Sequence, residues 1–151
     1  MKTSAIFATG AALMAISMSA QAAIKLNATR LGLFYSANPV VNVPLNNAGA
    51  TSLSFNLPAN KKLVLSYSAR CFATGTSGWV DIDIIVNGNI VVPTADIDDP
   101  FCNADEGPTI GSMTLEIQGI AGNNTVRISA KRNGSVTGVV FGISALLVFE
   151  G

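Results

Sequence analysis

The stretch LVLSYSARC, residues 63–71, alternates: Leu63, Leu65, Tyr67, Ala69 and Cys71 share one side, while Ser66, Ser68 and Arg70 share the other. A two-residue period is what a strand with one buried face requires, and it is incompatible with the 3.6-residue period of an amphipathic helix. The pattern recurs in TSLSFNL, where Leu53, Phe55 and Leu57 oppose Ser52, Ser54 and Asn56. It recurs in WVDIDIIVN, with Val80, Ile82, Ile84 and Val86 inward and Trp79, Asp81, Asp83 and Asn87 outward. SMTLEIQ and NNTVRISAKR alternate in the same way through Met113, Leu115 and Ile117, and through Val126, Ile128 and Ala130. Beyond residue 22 no segment carries a helical period, so the chain is read as all-β.

Turn chemistry divides the strands. Asn87-Gly88 and Asn133-Gly134 are two-residue hairpin signals, since both turn positions favour positive φ. The strand carrying Arg70 is expected to pair with the one carrying Trp79 through FATGTSG, placing Arg70 near Trp79 and Ser68 near Asp81. Residues 94–108 lose the alternation and read as one long acidic surface loop. The closing run VVFGISALLVFE is apolar on nearly both faces, so it is either a central strand or one whose outer face meets another subunit. Eight or so short strands without helices indicate an antiparallel β-sandwich or barrel. The succession of NLPANKKLVLSYSARC, GWVDIDIIVNG, NNTVRISAKR and the closing apolar strand resembles exported bacterial jelly-roll domains, most of them uncharacterised, whose topology is similar to the complement-globular-head and tumour-necrosis-factor modules. The resemblance implies a jelly-roll β-sandwich and no particular function, because its motifs are strands and turns.

The first residues read as an export signal. Lys2 supplies the positive end, AIFATGAALMAISM is apolar but short for a bilayer span, and Ala20 and Ala22 offer small residues for cleavage. Residues 1–22 are therefore expected to be removed, leaving 23–151 as a single domain with no membrane span, periplasmic or extracellular. Nine basic and nine acidic side chains balance over the chain, and loss of Lys2 leaves a net charge of −1. That balance argues against a nucleic-acid partner, which needs clustered positive charge. In an oxidising compartment Cys71 and Cys102 are expected to form a disulfide, closing a loop of about thirty residues for on the order of 3 to 4 kcal/mol.

Four sets of residues are weighed for chemistry. Asp96, Asp98, Asp99 and Asp105, with Asn103 and Glu106, supply the oxygen ligands calcium wants, although the spacing matches only the opening of an EF-hand loop. The alternative is a solvated acidic loop pinned by Pro100 and Phe101. Trp79, Asp81, Asp83 and Arg70 would form a glycan-binding surface if they share an outward face, against the plainer reading of a packed tryptophan beside surface ion pairs. The chain has no histidine, which removes the Ser-His and Cys-His nucleophiles, and a domain this small offers little cleft for paired carboxylates, so no enzymatic activity is expected. The segment AIKLNATRLGLFY, finally, reads as an ordinary first strand or as the donor strand of a pilin-like subunit.

Together these features read as an exported binding or structural module that associates with itself through Leu146, Leu147, Val148 and Phe149 of the closing strand. A small carbohydrate-binding module and a pilin-like surface subunit are the alternatives.

Overall fold

The computed structural model of the chain describes residues 23–92 and 100–151. The export signal expected at 1–22 and three of the four proposed calcium ligands, Asp96, Asp98 and Asp99, lie outside the described residues.

Eleven strands and no helix make up the described chain: β1 Ile24–Arg30, β2 Phe34–Ser36, β3 Val40–Asn42, β4 Leu53–Leu57, β5 Lys61–Gly75, β6 Trp79–Val86, β7 Asn89–Val92, β8 Cys102–Asn103, β9 Thr109–Gly119, β10 Gly122–Arg132 and β11 Val136–Glu150. All pairings are antiparallel. One sheet runs β1-β11-β5-β9, with β2 continuing β1 along β11. The other runs β3-β10-β6-β7, with β4 also on β10 and β8 also on β6. From β4 onward the chain changes sheet at the β4–β5, β5–β6, β8–β9, β9–β10 and β10–β11 connections, and this order is that of a jelly-roll sandwich.

The alternation read from sequence sets the core. Leu63, Leu65, Tyr67 and Cys71 of β5 face inward, as do Val80, Ile82 and Ile84 of β6 and Val126 and Ile128 of β10, and all are buried. Burying each such aliphatic side chain stabilises the fold by roughly 1.5 to 3 kcal/mol. Asn87-Gly88 forms the expected hairpin between β6 and β7, with φ of 52° and 83°.

Two connections differ from expectation. β5 and β6 do not pair: β5 lies between β11 and β9, and β6 lies in the opposite sheet. Asn133-Gly134 likewise joins β10 to β11 across the sandwich and makes no hairpin. The reason is common to both: a turn signal reports that the chain bends, and the two apolar strips it joins are buried by stacking face to face as readily as by pairing edge to edge.

β11 is a central strand, flanked by β1 and β2 on one side and β5 on the other. Its ladder with β5 slips between Phe141 and Ser144. Inward residues are Val139 and Phe141 before the slip, then Ser144, Leu146 and Val148 after it. The bulge also leaves carbonyls outside the ladder, and Arg30 uses them. Its guanidinium, with the residue only 4% exposed, donates to the carbonyls of Phe141 at 2.8 Å, Gly142 at 2.7 Å and Gly32.

Cys71 and Cys102 form the disulfide, with Cα atoms 5.9 Å apart, and tie β5 to β8 across the sandwich. Beside it Phe101 turns into the core, its ring 5.9 Å from Tyr67 and 6.2 Å from Phe141. The pinning of the acidic loop by Phe101 is thus a packing contact within the sandwich.

Candidate functional site

Three crossings meet at one end of the sandwich: residues 76–78 between β5 and β6, residues 104–106 after β8, and residues 133–135 between β10 and β11. Backbone hydrogen bonds lace them together. The Asn133 amide donates to the Trp79 carbonyl at 2.9 Å, Ser135 to Ser77 at 3.0 Å, and Ala104 to Gly78 at 3.0 Å. The approach is close enough to require glycine: at Gly78, with φ of 109°, a Cβ would stand 2.3 Å from the Asn133 carbonyl oxygen.

Between these crossings opens a cleft of about 400 Å³, lined by Trp79, Asn103, Asp105 and Glu106 with Gly78 and Gly134. Trp79 and Asn103 are register partners on β6 and β8, so indole and amide stand side by side on the cleft wall. Trp79 is half-buried, and its Nε1 is shielded from water without a hydrogen bond. An aromatic face next to two carboxylates and an amide offers both stacking and hydrogen-bond acceptance to a bound molecule.

Behind the tryptophan lies Asp81. It points to the outer face as expected, but it is only 2% exposed and is no surface ligand. Asn133 donates to its Oδ2 at 2.6 Å, and Lys131 stands across the ladder. Burial pushes the Asp81 carboxyl above its ordinary range; the Asn133 hydrogen bond, Lys131 and the nearby Trp79 indole pull the other way, and Asp83 adds to the rise. Neither the indole Nε1 nor Asp81 Oδ1 has a hydrogen-bond partner of ordinary geometry.

The structure therefore redistributes the residues singled out by sequence. Trp79 and Asp105, taken from separate candidates, share the cleft, with Asn103 and Glu106. Asp81 becomes its buried support, and Asp83 is a half-buried neighbour in register with Ser129. Arg70 is elsewhere: it is exposed on the opposite sheet, opposite Ile110, and makes no cation–π contact with Trp79 because β5 and β6 do not pair. Gly78, Asn133 and Gly134 were missed as cleft builders, although a glycine before Trp79 and an Asn-Gly pair were visible signals. Among the described residues, no group of three Cys, Asp or Glu side chains is placed to hold a metal ion.

No family model matches the chain, and no curated protein matches it. Among solved structures it is similar to a family 35 carbohydrate-binding module from Clostridium thermocellum, at 20% identity over 83% of this chain and 99% of that one, with a TM-score of 0.44. It is also similar to the VP2 subviral particle of infectious bursal disease virus, at 13% identity, 87% and 33% coverage and a TM-score of 0.49. A third likeness is to the K3 cleaved adhesin domain of Lys-gingipain from Porphyromonas gingivalis, at 10% identity, 87% and 100% coverage and a TM-score of 0.33. At these identities and TM-scores the likenesses carry no function to this chain, and the jelly-roll assignment stands on its own strand pairing.

Proposed function

We propose that the protein is an exported, non-catalytic binding module that takes a carbohydrate in the Trp79 cleft. The observation that carries this reading is the meeting of a half-buried indole with Asn103, Asp105 and Glu106 around one 400 Å³ concavity. A sugar ring presents a C–H face that packs on an indole and hydroxyls that donate to carboxylate and amide oxygens. The disulfide supports an oxidising compartment, and among the described residues no helix is long and apolar enough to cross a membrane.

The test is a glycan array probed with wild type and Trp79→Ala, with and without calcium. Binding of a glycan set by wild type and its loss in the variant, about tenfold or more in affinity, is the expected outcome. Thermal melts of both proteins separate a lost contact from a lost fold. Absence of glycan binding, or equal binding by a folded Trp79→Ala, overturns the reading.

A second reading, self-association, rests on a different observation. The outer face of the β1-β11-β5-β9 sheet leaves Ile110 80% exposed and Ile143 60% exposed, beside half-buried Leu147 and Phe149. Leu146 and Val148, grouped with them in the sequence reading, point into the core instead. β1 completes its own sheet by pairing with β11, which argues against its service as a donated pilin-like strand.

A further inference from the structure

We propose a second binding site, for a small oxyanion such as a carboxylate or phosphate group, where the β1–β2 turn meets the loop between β3 and β4. A cavity of about 210 Å³ opens there, lined by Arg30, Gly32, Phe34, Pro44, Asn46 and Asn47 among others. Its size suits one such group.

The polar side chains of the lining, Arg30, Asn46 and Asn47, sit among the apolar Leu33, Phe34 and Pro44. Arg30 has five N–H donors, of which three meet the carbonyls of Gly32, Phe141 and Gly142. Its Nε is buried with no acceptor. Among the described residues no carboxylate pairs with Arg30: burial lowers its pKa, and the titratable group beside it is the neutral Tyr67. A guanidinium taken out of water and left without a counter-charge is costly, and an anion in the adjoining cavity supplies what the protein does not.

The two asparagines add donors to the same space. The Leu31 amide donates to Asn47 Oδ1 at 2.8 Å, and the Ala50 amide donates to Asn46 Oδ1 at 3.0 Å. A backbone N–H needs an oxygen, so these bonds fix which way each side-chain amide faces. Each oxygen already accepts one bond, and the hydrogen-bond donors each asparagine has left to offer a ligand are those of its NH₂ group. The loop that positions them is itself held by Leu45 N–H to the Ala50 carbonyl at 2.8 Å and Gly49 N–H to the Asn46 carbonyl at 3.1 Å. A guanidinium with two NH₂ groups and, among the described residues, no lining carboxylate selects acceptors with negative charge.

The test titrates the purified protein with sodium acetate and, separately, sodium phosphate, following the Arg30 Nε–H and the Asn46 and Asn47 side-chain amides by ¹H–¹⁵N NMR. Chloride at matched ionic strength is the control. Saturable shifts of these signals with either anion support the site; acetate alone assigns it to carboxylates, and phosphate alone to phosphoryl groups. Asn46→Asp and Asn47→Asp keep the oxygen that holds each loop amide but replace the NH₂ donor with a carboxylate. Each is expected to weaken binding by about tenfold or more while leaving the backbone spectrum in place. Signals that stay unmoved by both anions, shifts that chloride reproduces, or variants that bind as tightly as wild type overturn the proposal. Because the Trp79 cleft shares none of these residues, its fate in a glycan screen does not bear on this site.

Discussion

Asp81 occupies an outward position on β6 and is nevertheless buried, hemmed in by Trp79, Asn133, Lys131 and Asp83. Its pKa is raised above the ordinary carboxylate value, chiefly by burial, so the folded protein holds this proton more tightly than the unfolded chain does. Stability contributed by Asp81 is therefore greatest at or below the ordinary carboxylate range and falls as pH rises through the window up to the raised value. Asp81→Asn keeps an oxygen for Asn133 and removes the charge; it is expected to abolish that part of the pH dependence, read by thermal melts from pH 3.5 to 8. A wild-type slope retained in the variant would assign the dependence to another group. Gly78 offers a prediction of different origin. Gly78→Ala must push a Cβ against the Asn133 carbonyl in a left-handed backbone conformation, at a cost of about 2 to 4 kcal/mol measured by urea unfolding. Period-two reading placed Asp81 on the correct side of its strand but said nothing of what covers that side, since coverage comes from crossings distant in sequence.

The strands show where local pattern suffices and where it fails. Leu63 to Cys71 and Val126 to Ala130 point inward as their alternation implies, because each strand keeps one phase through the core. β11 does not: the bulge between Phe141 and Ser144 shifts its inward set by one residue, and a two-residue period read straight through it makes both faces look apolar. Pairing was the other failure. FATGTSG and Asn133-Gly134 look like hairpin connections, but β5 and β6 bury their strips by stacking across the core, a choice settled by long-range partners such as β11 and β9. The ends of β1, β5 and β11 are fastened by one acid. Glu150 meets Lys25 and Lys61, each at 2.8 Å, and these two hydrogen-bonded ammonium groups hold its carboxyl down to about 2, from an ordinary value of 4.5. A depressed acid contributes stability that is full above 4.5 and is lost as pH falls toward 2. Glu150→Gln is expected to flatten the acid limb of the melting curve between these values; an unchanged acid limb would show that the three-strand clamp has no thermodynamic weight.

As a whole molecule, the jelly roll gives the protein two surfaces of opposite character. The sheet led by β11 and β5 turns Ile110, Ile143, Leu147 and Phe149 outward in a chain with only 12% charged residues. Ile143→Arg places a charge at the centre of that face and is expected to reduce self-association in light scattering at high concentration; a wild type that stays monomeric there would remove this reading. At the other surface, the end of the sandwich where the crossings meet, the Trp79 cleft carries the central claim. The all-β sandwich-or-barrel class and the disulfide were legible from alternation and cysteine count and the jelly roll from the resemblance, whereas the cleft required three crossings to be brought together by the fold. Trp79 is the sole tryptophan of the chain, so its fluorescence reports on the cleft alone. The direct measurement is the emission of Trp79 during titration with a glycan selected on the array, in wild type and in the Asp105→Asn/Glu106→Gln double variant. A saturable change in wild type, weakened by about tenfold or more in the double variant, is the predicted result. A glycan that binds by calorimetry without altering Trp79 emission would place carbohydrate recognition away from this cleft and contradict the account.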